Sequence, residues 1–528
     1  MSTFALNLTT AVGLALAMDY SLFIVARYRE ERGAGLPHQQ ALEHATAAGG
    51  RVIAVSAGTV AVSLLGLLLF PLYFLRSLAL AGISVVLLAA AASLLVIPAA
   101  LACLGERVAS RDRLARWRTG PRAAGRWHRL ALAVMRRPLS VLVLTGTLLL
   151  LLALPFRHAA FGLHDERALP RDAAVVRATE DLHTRFPHMR TEVDVVLPRW
   201  WPNDRTRAAQ LDAYARRLSA LPGVQGLRTA TGTYLDGRPV GRPCLVPARA
   251  HTVNTCEGAH RFAGSAGTWL ALNAPASPYT SSAATLVHRL QDQPAPVRPV
   301  MGGATAEFLD TQALLARRLP GALAVVAAAT LALLFAFTRS LFLPLKALML
   351  NLLSLTATFG ALVYVFQEGH LRWLVGDFEP TGTVNLMLPP IAFFLAFGIS
   401  MDYEVLLLAR IGEAYRRTRD TTRATAEGLQ AAAPLFTASA ALVLIVLLAL
   451  AATPVTNLKC VAVTVALSVC LDALLVRPLL VPAAMQLAGA ANWWLPRPLQ
   501  RLWPKAAPHP THLQHTGLEP TARKGVPT

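Results

Sequence analysis

The chain has 528 residues, 54% of them hydrophobic and only 15% charged, and its mean hydropathy is +0.45. That balance excludes an ordinary soluble domain and indicates an integral membrane protein. The formal net charge of +20 would suit a nucleic-acid partner, but the arginines cluster beside apolar runs, the pattern of charges flanking membrane spans, so nucleic acid is set aside as a partner.

Taking about 20 apolar residues as the requirement for crossing a bilayer, nine spans are predicted, at residues 3–25, 52–72, 78–101, 139–154, 319–337, 345–366, 384–408, 434–452 and 460–487. The first run follows Met1 with no basic segment and no A-x-A site, so no cleavable signal is expected. Arg27, Arg29 and Arg32 follow the first span, and ten Arg against one Asp lie in 107–137. Arg339 and Lys346 follow the fifth span, and Arg410, Arg416, Arg417, Arg419 and Arg423 follow the seventh. With these charges in the cytoplasm, every intervening span crosses once. The amino terminus then lies outside the membrane and the carboxyl terminus inside, in the cytoplasm.

The predicted organisation is spans over 1–104, a basic cytoplasmic loop at 105–137, a span at 138–156, an extracytoplasmic domain at 157–318, five spans over 319–496 and a disordered cytoplasmic tail at 497–528. The polar domain reads as α+β: strands at 191–197, 224–229, 268–273 and 297–302, helices at 204–218 and 281–290, and a preceding helix at 172–186. The order β-α-β-β-α-β is the split-βαβ, ferredoxin-like arrangement. Residues 232–264, rich in Gly, Pro and Arg, are expected to be an irregular insertion, and Trp200 and Trp201 end the first strand. Of five cysteines, Cys103, Cys460 and Cys470 lie in apolar spans as small buried residues. Cys244 and Cys256 both fall in the polar domain, where an extracytoplasmic location would permit a disulfide between them.

The seventh span carries the chemistry. From residue 389 to 408 the only ionisable side chains are Asp402, Tyr403 and Glu404. A charge at mid-membrane costs about 2.5–3.5 kcal/mol on insertion scales and is kept there for function. The pattern D-Y-x5-A-R-x2-E occurs twice, as Asp19, Tyr20, Ala26, Arg27, Glu30 and as Asp402, Tyr403, Ala409, Arg410, Glu413. Such a repeat implies two homologous halves. Two Asp–Tyr pairs facing each other across a pseudo-two-fold, each Tyr hydroxyl on the other half's carboxylate, could take up and release protons; the rival reading is a structural interhelical hydrogen bond. Arg27 and Arg410, two turns toward the cytoplasm, are expected to anchor the membrane–water interface rather than to bind substrate. Glu404 stands at the inner edge or joins the cluster. Asp472 and Arg477 in the last span are expected to form an ion pair that positions it. Residues 98–100 with Gly105 repeat as 482–484 with Gly489, without a counterpart of Asp472.

No Walker G-x4-G-K-[ST], CxxC, HExxH or GxSxG motif is present. An enzyme is not expected, and His509, His512 and His515 in the tail lack the held geometry a metal needs.

Several segments together carry a family resemblance: GLALAMDYSLFIVARYREE at 13–31, VMRRP at 134–138, MGGATAEFLD at 301–310, FTRSLFLPLKALMLNLLSL at 337–355, FGISMDYEVLLLARI at 397–411 and LDALLVRPLLVPAAMQLAGAANWWLP at 471–496. They resemble the MMPL branch of the resistance–nodulation–division (RND) transporters. The resemblance implies a helical bundle with porter-like domains and export of lipids or hydrophobic small molecules, drugs and antibiotics included. It also implies the proton-motive force as energy source, with no cofactor, and places the proton-relay pairs at Asp19, Tyr20, Asp402 and Tyr403. Family members have twelve spans and two porter loops. The first span here matches the family's fourth, so a start codon assigned too late, a truncated or split gene, or an upstream chain supplying three spans and one porter loop is expected. The alternative is a non-transporting membrane scaffold in a lipid or secretion complex.

Overall fold

The computed structural model describes residues 3–104, 125–163, 169, 172–185, 191–241, 261–274, 278–376 and 378–495. Among them, nine helices are long and apolar enough to cross a membrane. The first half supplies α1 (Thr3–Gly33), α2 (His38–Leu65) and α3 (Tyr73–Leu104). After a short helix, α4 (Arg126–Arg136), comes α5 (Pro138–Ala153). The α/β domain holds α6 (Ala174–Arg185), α7 (Arg205–Ser219) and α8 (Ser281–Gln291). The second half is α9 (Ala304–Thr338), α10 (Phe342–Leu362), α11 (Leu388–Thr418), α12 (Thr421–Ala451), α13 (Thr456–Leu471) and α14 (Val481–Ala488).

Several helices outrun the apolar windows. The second begins at His38 rather than 52, and the eighth at Thr421 rather than 434. Thirty-one residues make about 46 Å of helix at 1.5 Å per residue, against a hydrocarbon core of about 30 Å. The Ala-, Gln- and Glu-containing ends keep good helix formers beyond the bilayer, where hydropathy no longer marks the helix.

Hydropathy also says nothing about which helix is central, since lipid tails are as apolar as a protein core. Burial settles it: 89% of the apolar window of α11 is buried, against 17% for Pro138–His158. Leucines such as Leu88, Leu95 and Leu144 face outward. In the bundle, α1 packs on α3 and on α12, while α11 packs on α12 and on α2. Each motif helix therefore leans on the helix that follows its counterpart in the opposite half.

Small residues permit these close approaches. A Cβ at Gly428 would lie 2.6 Å from Ile411 Cγ1 and 2.7 Å from Ile411 Cα. Gly428→Val is expected to cost about 1–3 kcal/mol by overpacking, read as a lower thermal midpoint of the purified protein. An unchanged midpoint would mean that α11 and α12 can separate freely there.

The α/β domain is a sheet of β2 (Thr191–Pro198), β3 (Gly226–Thr229), β4 (Gly232–Leu235), β5 (Arg238–Val240), β7 (Gly267–Ala274) and β8 (Val300–Gly302), with β6 (Ala263–Gly264) pairing on β7. The order is β5-β4-β3-β7-β2-β8 with antiparallel neighbours, Val195 opposite Leu270 and Leu227 opposite Leu272. The strands of each βαβ unit are thus separated by a strand of the other, the split-βαβ arrangement. Alternation along β2 buries Val193, Val195 and Leu197 with Leu211, Leu218 and Leu290 from the helices. Asp204 caps α7 by accepting from the Arg207 N–H at 2.7 Å. Trp200 joins the core, and Trp201 is exposed.

The expected irregular insertion is corrected in part. Residues 232–240 form the β4–β5 hairpin, turned by Asp236 and Gly237, both with positive φ (46° and 76°). Asp-Gly is the favoured pair for that turn, a local signal stronger than the surrounding composition. Cys244 and Cys256 lie outside the described residues, as do the loop 105–124 and the tail 497–528. A two-stranded parallel pair, β1 (Phe161–Gly162) with β9 (Val384–Asn385), ties the start of the domain to the chain entering α11.

Candidate functional site

The two motif copies meet inside the bundle. Asp19, Tyr20, Asp402 and Tyr403 are all buried, none more than 5% exposed. The Tyr403 hydroxyl of α11 donates to Asp19 Oδ2 of α1 at 2.7 Å. Ser439 of α12 donates to the Tyr403 oxygen at 3.4 Å. In the mirror limb Tyr20 lies near Asp402 and Ser56 of α2, without a Tyr20–Asp402 hydrogen bond among the described residues. The sequence interval between Ser56 and Ser439 equals that between Asp19 and Asp402, so each tyrosine has a serine at the same place in its half. That shared interval was the available signal for both serines. Serine is common enough in apolar helices that it did not stand out.

Beside the linked limb sits Arg477, 2% exposed. Its Cζ lies 4.4 Å from the centre of the Tyr403 ring and 5.5 Å from that of Phe436. Arg477 Nη2 and Asp472 Oδ2 are 3.7 Å apart, an ion pair without a hydrogen bond. Ser354 of α10 donates to Asp472 Oδ1 at 2.8 Å. Five residues apart, Asp472 and Arg477 would point to different sides of an α-helix. Here the backbone from Asp472 to Leu480 is π-helical, bonded i to i+5, which brings side chains five apart onto one face. Pro478 within it lacks the N–H an α-helical ladder would need. Arg477 acts electrostatically on both Asp19 and Asp402.

Glu404 is buried, with Lys346 of α10 as its opposite charge. Lys346 is a correction. It was expected in a basic loop after the fifth span, but it is 8% exposed, with Nζ 2.7 Å from Met485 Sδ. A lone lysine inside FLPLKALMLNLL was the signal, outweighed by the arginine at 339 before it. In the first half the position of Glu404 is taken by Ser21, which is 3.4 Å from Ser93 Oγ. The charged side-network therefore belongs to the second half alone.

Two turns along from the cluster, the Arg and Glu of the repeat exchange partners. Arg27 pairs with Glu413 at 3.2 Å and Arg410 with Glu30 at 2.9 Å, so each arginine crosses to the other copy's glutamate. Arg27 also reaches Glu31 at 3.0 Å. The glutamates are about two-fifths exposed, so each pair contributes about 0.2–1 kcal/mol and is weakened by salt. Glu413→Gln is expected to lower the thermal midpoint in dilute buffer, with the loss shrinking in about 1 M salt, where screening acts within roughly 3 Å. A loss independent of salt would assign Glu413 to packing instead.

Chemically, a carboxylate, a phenol and a serine hydroxyl in line, with an arginine beside them, form a chain that can accept, hold and pass a proton. An apolar cavity between α1, α2, α3 and α11 borders the motif helices and is lined by Leu8, Val12, Leu64, Leu78, Val86 and Leu395 among others.

Fold and site together define a helical membrane protein with a duplicated core and an inserted split-βαβ domain. The MMPL family model matches residues 1–141 and 259–512, and the chain belongs to that family. It is 35% identical over 504 residues to the membrane protein SCO6666 of Streptomyces coelicolor, covering 95% of this chain and 64% of that one. It is 30% identical over 550 residues to the trehalose monomycolate exporter MmpL3 of Mycobacterium tuberculosis, covering 98% of this chain and 56% of MmpL3. The chain thus spans little more than half to just under two thirds of the length of these relatives. The solved structure of SecDF, a translocon-associated membrane protein from Thermus thermophilus, shares the fold with a TM-score of 0.50 at 14% identity, over 91% of this chain and 54% of that one.

Proposed function

We propose that this protein exports a lipid or another hydrophobic small molecule across the bacterial plasma membrane, driven by inward proton flow through Asp19, Tyr20, Asp402 and Tyr403. The observation that carries the reading is the buried Tyr403–Asp19 hydrogen bond between the two halves. Protonation of Asp19 alters a contact that holds α1 to α11, so proton uptake and helix movement are linked at one bond. A carboxylate cluster inside a membrane bundle is costly and is retained for such relays. Support for the cargo class comes from MmpL3, whose name states export of trehalose monomycolate, and from the apolar cavity beside the motif helices. The arginine distribution supports an extracytoplasmic α/β domain, with the amino terminus outside and the carboxyl terminus inside. The energy source is the proton gradient, with no cofactor.

The test is movement of a fluorescent lipid analogue in proteoliposomes holding the full chain and any protein that copurifies with it. Transport is expected to follow an imposed pH gradient and to stop when a protonophore collapses it. Transport unaffected by the protonophore would overturn the coupling.

A further inference from the structure

The helix α4 plays no part in the proton site, yet its construction is specific. It is amphipathic: Ala131, Val134 and Met135 are buried, and Trp127 meets the Phe436 ring at 6.1 Å. It lies along α12 and α14, fixed by the His128 N–H donating to Gln430 Oε1 at 2.9 Å. The opposite face carries Arg126, Arg129 and Arg136, at helical spacing and all exposed, with exposed Arg137 at the helix end. None of the four has an ion-pair partner among the described residues. Glu427, the acidic residue one turn before Gln430 on α12, is already taken by Arg417 and Arg423.

Pro138 starts the fourth span directly after Arg137. Its outward face begins at once with Leu139, Val143 and Leu144, which are 57–74% exposed. A basic shelf therefore sits at the head of an apolar stripe long enough for acyl chains. We propose that α4 and the first turns of α5 form a binding site for an anionic phospholipid, its phosphate against Arg126, Arg129, Arg136 and Arg137 and its tails along Leu139, Val143 and Leu144. Charge complementarity selects this occupant: guanidinium groups match phosphate oxygens in fork geometry, and arginines at a membrane surface favour anionic over zwitterionic lipid. The neighbouring apolar stripe distinguishes a lipid from a soluble polyanion. This site does not depend on the transport reading.

The experiment reconstitutes the full chain in nanodiscs of mixed phosphatidylglycerol and phosphatidylcholine and measures the lipid retained on release by native mass spectrometry. Wild type is expected to retain phosphatidylglycerol in excess of its share, and the enrichment should fall about fivefold per arginine removed in R126Q, R129Q, R136Q and R137Q combined. Glutamine is a good helix former, and the pair R126Q/R129Q serves if the fourfold variant fails to fold. Equal retention of both lipids by wild type, enrichment undiminished in the variants, or equally strong binding of inorganic polyphosphate by lipid-free protein would each overturn the assignment.

Discussion

Replacing Asp402 by Asn is expected to leave the protein inserted and folded and to take the proposed cargo movement down to background. Asparagine matches aspartate in shape, so the packing of α11 against α2 and α12 is kept while the titrating group is removed. The companion Asp19→Asn is equally informative, because the amide oxygen can still accept from the Tyr403 hydroxyl, now 2.7 Å from Asp19 Oδ2. Geometry is expected to survive in that variant and the proposed proton exchange to be lost. The measurement pairs the proteoliposome transport rate with the thermal midpoint of the same preparation. Two aspartate variants with native midpoints and native rates would reduce the cluster to a structural hydrogen bond.

The largest effect on stability is expected from Arg477→Leu. Arg477 and Asp472 are each 2% exposed and 3.7 Å apart, and removing one member of a buried pair strands the other, at about 3–5 kcal/mol. The stacking of the guanidinium on Tyr403 and Phe436 is lost as well. Replacing both charges by leucine should restore most of the midpoint, since a well-packed apolar pair is often as stable as a buried ionic one. Transport should not return, because the positive charge near Asp19 and Asp402 is gone. Recovery of both folding and transport in the double variant would show that Arg477 serves the last span only. If the midpoint stayed low, the π-helical stretch itself would depend on the pair.

Much of this was legible in the sequence because the informative residues violate their surroundings. A carboxylate and a phenol inside an apolar run, met twice at one spacing, pointed to Asp19, Tyr20, Asp402 and Tyr403, and the structure brings those four together. The strand and helix order of the α/β domain was legible from alternation, to within a few residues at β3 and β8. What escaped depends on context that a linear pattern does not hold. Lys346 reads as a loop charge unless the partner Glu404 is known to sit beside it. The π-helical turn that aligns Asp472 with Arg477 is a backbone choice invisible to side-chain periodicity. Helix ends beyond the hydrocarbon, as at His38 and Thr421, lose the hydropathy signal by which spans are found. The β4–β5 hairpin was marked by Asp236–Gly237, but glycine- and proline-rich composition argued for irregular chain.

The Tyr403–Asp19 bond joins residues 384 apart in sequence, and that separation has a cost during biosynthesis. At about 5–20 residues per second, α1 waits roughly 20–80 s in the membrane before α11 emerges to cover its carboxylate. Through that interval Asp19 carries the burden of a polar group in hydrocarbon, about 2.5–3.5 kcal/mol, without the Tyr403 hydroxyl that later donates to it. Ser93 of α3, 3.4 Å from both Ser21 Oγ and the Ala17 carbonyl oxygen, ties α3 to α1 within the first half, a contact that does not wait for the second.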